Sequence, residues 1–221
     1  MPLKNYFDTM FIQPVREFRE ATGLPVGSVV VDHALHLHLF NEEALEFIMA
    51  TELADKADAI ADMIVIGCDY WLDAGTRMKF NIFQVLQGLE DAAARLGINA
   101  IGAFSLVHDS NMSKVCNTHQ ANLTHTKFRE LGIFTIAKQV PGGLWAIYSD
   151  TDDTTYPRGK LLKPVSYFKP KWQGNERLWC SETKPFTEEQ LQVAVAGVEA
   201  VRRDLDPEVF LGADSEGGSH D

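Results

Sequence analysis

Residues 36–67 read HLHLFNEEALEFIMATELADKADAIADMIVIG, and the spacing of their acids decides the fold. Leu35, Leu39, Glu42, Glu46 and Met49 follow one another at intervals of four, three, four and three, which predicts one stripe of a helix running from Asp32 to Met49. Glu42 and Glu46 thus continue a stripe that begins and ends apolar, and the stripe is expected to face inward. A second helical pattern runs from about Ala54 to Leu72, with Asp58 and Asp62 four apart and Val65 extending their row. With the reversal centred near Glu52, Glu46 and Asp58 stand about six residues from it, and Glu42 and Asp62 about ten. At ~1.5 Å of rise per residue these pairs fall at equal heights on antiparallel helices. Carboxylates gathered in a partly buried seam repel one another, which raises their pKa values or is relieved by a cation. Oxygen-only donors predict magnesium, with manganese as the alternative, and no His/Cys set has the spacing of a zinc site. The competing reading is a solvated acidic face made of Glu42, Glu43, Asp55 and Asp58.

Around this stretch the pattern is mainly helical. Residues 11–22 (FIQPVREFREAT) suit a short helix with Val15, Phe18 and Thr22 on one side, ended by Gly23 and Pro25. The second acidic helix stops near Gly75, a third covers about Phe80 to Leu96 and closes at Gly97, and a fourth begins near Ala100. Beyond Asn117 the pattern changes to a helix from Gln120 to Leu131 capped by Gly132, then IFTIAKQV and LWAIYS flanking PGG as a hairpin, with Trp145 and Tyr148 in its core. LLKPVSYFKPKW is expected to be extended, because two prolines argue against a helix. Thr187 with Gln190 forms a capping box for a last helix through about Asp204, and the polar tail is expected to be disordered. The expected divisions are a bundle at 1–116, a helix-plus-hairpin insert at 117–150, a basic extended segment and helix at 151–210, and a tail at 211–221.

The chain has 221 residues, 45% of them apolar, enough for a sizeable core. Its net charge of −11 argues against diffuse attraction to nucleic acid or anionic lipid, so a phosphate-bearing partner must be held locally or through metal. Cys68, Cys116 and Cys180 are too few and too scattered for a disulfide framework and are expected to be buried thiols. No leader or membrane span is evident, and the expectation is a soluble cytoplasmic protein. On the first acidic helix His33 and His36 share a face while His38 points away, which favours ordinary surface or packed roles over a metal cluster.

NEEALEF followed by DAIADMIVIG resembles the EExxE and downstream acidic elements of the all-α nucleoside triphosphate pyrophosphohydrolases, the superfamily of MazG and phosphoribosyl-ATP pyrophosphohydrolase. AFSLVHDSNMSK at 103–114 is similar to a VHxSNMSK segment of the bacterial and phage branch, and GKLLKPVSYFKPKW at 159–172 to the GKxxKPxxYxxP segment that often follows it. The three elements occur in the same order over about 36–172. The resemblance implies an all-α helical bundle, here carrying the small insert, and magnesium-dependent cleavage of a nucleotide between its α and β phosphates.

It further implies that Glu42, Glu43 and Glu46 match EExxE and that Asp62 matches the acid of ExxD. The Glu of ExxD is replaced by Ala59, with Asp58 one residue earlier, and the Arg often found six residues before the acidic pair is His36. Metal ligation is therefore expected of Glu42, Glu43, Glu46, Asp58 and Asp62, with Glu43 or Glu46 orienting the attacking water. Asn111 and Lys114 would meet the leaving phosphates, helped by His108 and by Lys160 or Lys163. For HDSNMSK and the basic run, a helix end and a structural strand are the competing readings. The alternatives in function are the histidine-biosynthetic activity and a helical nucleotide-binding or interaction module without catalysis. Members of this superfamily commonly complete their bundle with a second subunit, so a homodimer or dimer of dimers is expected.

Overall fold

The computed structural model describes residues 3–27, 33–73, 76–172, 178 and 187–204, with backbone alone at 3–4, 76–81 and 201–204. Leu3–Phe7 (α1) runs through a wider π-helical turn, Asp8–Ile12, into Gln13–Thr22 (α2). His33–Met49 (α3), Leu53–Asp73 (α4), Thr76–Arg95 (α5) and Ala100–Met112 (α6) follow. Val115–Cys116 (β1), Thr118–Glu130 (α7), Thr135–Val140 (β2), Leu144–Ser149 (β3) and Glu188–Asp204 (α8) complete a mainly helical chain with one small antiparallel sheet. Among the described residues no helix is long and apolar enough to cross a membrane. The expected start at Asp32, the stop at Gly75, Cys180 and the tail at 211–221 lie outside the described residues.

The described residues form two compact units, one drawn from Met1–Ile12, Gly27–Ser105 and Lys171–Asp221, the other from Gln13–Val26 and Leu106–Pro170. In the first, α3 packs on α4, α4 on α5, α5 on α8 and α8 on α3, so the four helices close a ring around a shared core. The α3 residues that enter this core are His36, Phe40, Ala44 and Phe47. On α4 the interior mixes large side chains such as Ile60, Met63 and Ile64 with small ones, and a Cβ on Gly67 would stand 3.1 Å from the Leu86 side chain, so α4 and α5 approach closely at that point. Tyr6, Phe7, Phe11, Phe83 and Phe104 form an aromatic cluster with centroids 4.8–6.3 Å apart, mostly edge to face. Gly97, at φ 72°, ends α5 as its spacing predicts, and the Ile98 amide reaches back to the Ala93 carbonyl at 2.9 Å. The capping box of α8 is present in both directions: Gln190 N donates to Thr187 Oγ1 at 3.2 Å and Thr187 N to Gln190 Oε1 at 2.7 Å.

In the second unit the sheet order is β1-β3-β2, with Ala137 opposite Ile147 and Val115 opposite Ala146. The central strand is buried on both faces. Ile147 joins Ala121, Phe128 and Leu162 on one, while Ala146 and Tyr148 join Val140 and Leu24 on the other. Tyr148 also donates its hydroxyl to the Thr22 carbonyl at 2.6 Å. The hairpin and its helix stand close to where the sequence places them, but α7 begins at Thr118 under an Asn117 cap, and β1 was not anticipated. Two residues are too short to show alternation. The proline-bearing run is non-helical as expected: Leu161 bridges Tyr148 and Leu162 N donates to Ile147 O at 2.8 Å, but the chain then turns at Val165–Ser166, where Tyr167 N donates to Pro164 O at 2.9 Å.

Candidate metal centre

Glu43 is the acid around which the others gather. It is half-buried on α3, and its carboxyl is pushed up to about 8, first by burial and then by the negative charges of Asp62, Glu46, Asp58 and Glu42. Acids of both α3 and α4 thus act on Glu43, while the group of described residues whose donor atoms lie within 4.8 Å of one another is a different one, His36 with Asp69 and Asp73. The inward face of α3 differs from the expected one. Leu35, Leu39 and Met49 are 49%, 37% and 78% exposed, and Glu42 and Glu46 are exposed with them. The interior face lies one residue round the helix, at His36, Phe40, Ala44 and Phe47. Because α3 is apolar on several sides, spacing alone selects no face; the two phenylalanine rings have the volume that fills the core. Glu42, on the outer side, stands 3.4 Å from His38 Nε2.

On α4, Asp58 and Asp62 are half-buried, whereas Ala59 is buried at the position where the resemblance expects an acid. Asp58, one residue earlier, is one of the four carboxylates that act on Glu43, after Asp62 and Glu46 in strength. Lys56, only 1% exposed, donates its ammonium to the Phe47 carbonyl at 2.9 Å and lies 4.9 Å from the Phe47 ring centroid. It thereby satisfies one of the final carbonyls of α3, and burial pulls its pKa down.

A second cluster joins the same two helices. His36, 7% exposed, places Nε2 3.2 Å from Asp69 Oδ2, and its ring stacks on Tyr70 with centroids 4.7 Å apart and planes 18° apart. Tyr70 OH meets His33 Nδ1 at 2.5 Å. One donor atom each of His36, Asp69 and Asp73 lies within 4.8 Å of the others. His33 and His36 do share a face, as their spacing requires. The link from His36 to Asp69 spans 33 positions and has no local signature.

The phosphate contacts implied by resemblance belong to the second unit. His108 is half-buried, and burial lowers its pKa against the opposing charges of Asp109 and Glu17. The Asn111 main-chain carbonyl accepts from the Lys114 main-chain amide at 2.9 Å, and Lys114 Nζ stands 5.7 Å from the Phe18 ring centroid. Ser110 donates to Phe168 O at 2.8 Å, and Ser113 Oγ accepts from the Phe168 amide at 3.3 Å, so this serine pair anchors the proline-bearing run. Lys160 donates to Thr155 O at 2.8 Å, and Lys163 lies 4.8 Å from the Tyr167 ring centroid. Cys68 and Cys116 are buried as expected, which raises both thiol pKa values.

The chain is thus mainly helical with a small antiparallel sheet, and acidic side chains from α3 and α4 stand around Glu43. No protein-family model matches the chain, and neither does any curated protein or solved structure.

Proposed function

We propose that the protein is a magnesium-dependent nucleotide pyrophosphohydrolase, cleaving a ribo- or deoxyribonucleoside triphosphate or a related nucleotide between its α and β phosphates. The observation that carries this is the state of Glu43, a half-buried carboxyl held at about 8 by its burial and by four neighbouring acids. A cluster that cannot ionise fully alone is suited to a cation, and a donor set made only of carboxylates fits a hard, oxygen-seeking ion. The resemblance of NEEALEF, AFSLVHDSNMSK and GKLLKPVSYFKPKW to the all-α pyrophosphohydrolases supplies the reaction.

Glu43, Glu46, Asp58 and Asp62 hold the ion in this proposal, with Glu42 as an outer charge. When bound, magnesium supplies positive charge at the α-phosphate and lowers the pKa of a bound water. Glu43 or Glu46 orients the attacking water and takes its proton. The water oxygen bonds to the α-phosphorus, the bond to the α–β bridging oxygen breaks, and its electron pair leaves on pyrophosphate. The exposed Leu35, Leu39 and Met49 of α3, which flank Glu42 and Glu46, would be covered by a second copy, giving a homodimer or a dimer of dimers with these glutamates beside the interface.

A panel of canonical and damaged triphosphates with magnesium, assayed separately for pyrophosphate and phosphate, tests the reaction. The expected product is pyrophosphate, lost by a factor of about 10²–10⁴ in Glu46→Gln while the circular dichroism spectrum is retained. Phosphate as the sole product overturns the cleavage position, and full activity in Glu46→Gln removes the site.

A further inference from the structure

We infer that His36, Asp69 and Asp73 form a second metal site, separate from the acidic cluster and selective for a first-row transition-metal ion over magnesium. The three residues offer one imidazole nitrogen and two carboxylate oxygens with their donor atoms within 4.8 Å, a spacing that small side-chain rotations close onto bonds of about 2.0–2.2 Å. The imidazole is already immobilised. It is more than nine-tenths buried, lies flat on the Tyr70 ring, and aims Nε2 at Asp69. Tyr70 is itself held by its contact with His33, so the ring that orients the ligand has its own support.

Asp73 is the last residue of α4 and Asp69 lies one turn before it, so both carboxylates stand at the helix end that favours cations. A divalent cation between the two acids and His36 would offset both the carboxylates and the helix end. The nitrogen donor sets the selectivity. Magnesium dehydrates reluctantly and prefers oxygen, whereas manganese, iron and zinc accept a mixed nitrogen and oxygen set. Seven residues along each helix separate the two clusters, from Glu43 to His36 on α3 and from Asp62 to Asp69 on α4, or two turns and ~10 Å. With three protein ligands, the remaining positions on the ion go to water. The ion would clamp the start of α3 to the end of α4.

The test uses the full chain freed of metal by chelator, then given one equivalent of manganese under excess magnesium, which fills the acidic cluster. Pulsed electron paramagnetic resonance reads the bound manganese. Coupling to a ¹⁴N nucleus is expected in the wild type, retained in Glu46→Gln and lost in His36→Gln. Manganese affinity should fall by at least about tenfold in Asp73→Asn, which leaves the stacked imidazole undisturbed. No ¹⁴N coupling in the wild type, coupling that survives His36→Gln, or unchanged affinity in Asp73→Asn would each overturn the site. Because nitrogen is the reporter, failure of the acidic cluster to bind magnesium leaves this result unaffected.

Discussion

Glu43 shows how burial and like charge act together on one group. Its folded pKa of about 8 lies above the ordinary carboxylate value of 4.5, so the folded chain holds a proton that the unfolded chain has released between those values. The stability tied to this group is therefore complete below about pH 4.5, drains away as pH rises toward 8, and changes no further above it. Allowing for the solvent that still reaches this carboxyl, the loss is about 1–2 kcal/mol, or about 2–8 °C in Tm. In chelator, the melting curves of wild type and Glu43→Gln should diverge by that amount between pH 5 and pH 8.5, with the variant the flatter. Parallel curves would show that the carboxyl is ordinary. Phe47 is fully buried at the same helix end, beneath Lys56, and Phe47→Ala should cost about 3–5 kcal/mol in denaturant unfolding.

At the scale of elements, α3 carries apolar residues on two sides, and the described residues cover only one of them. Phe40 and Phe47 enter the ring of helices, while Leu35, Leu39, Leu45 and Met49 face outward. If a second copy covers the outer side, light scattering should report a dimer or tetramer for the wild type and a monomer for Leu39→Glu combined with Met49→Glu. Equal masses for the two proteins would mean that the stripe is not an interface. α7 is held at its start by Asn117, whose side chain accepts from the Gln120 amide at 2.9 Å while Gln120 answers at 3.1 Å. Asn117→Ala should cost about 1 kcal/mol.

For the whole molecule, the proposed function requires that binding of magnesium be coupled to folding, because the acids it would bridge come from two helices that are neighbours only in the folded chain. At a concentration about 100 times its Kd, magnesium should stabilise by about 2.7 kcal/mol and raise Tm by about 5–10 °C. Glu43→Gln combined with Asp62→Asn should abolish that rise. Calorimetry of both proteins with and without magnesium reads it directly, and an equal rise in the variant would place the ion elsewhere.

Elements were legible wherever chemistry is local. Gly97 and Gly132 mark helix ends, Thr187 with Gln190 marks a helix start, PGG turns a hairpin, and the reversal expected near Glu52 falls between Met49 and Leu53. Each depends on residues a few positions apart. Three features depended on packing instead. Which side of α3 is inside was settled by the volume of Phe40 and Phe47 against the ring, since the apolar pattern permits more than one face. The short strand Val115–Cys116 exists only because Trp145 and Ala146 stand beside it. The meeting of His36 with Asp69 and Asp73 requires two helix turns, 33 positions apart in the chain, to lie at the same height, and only the folded helix pair brings them there.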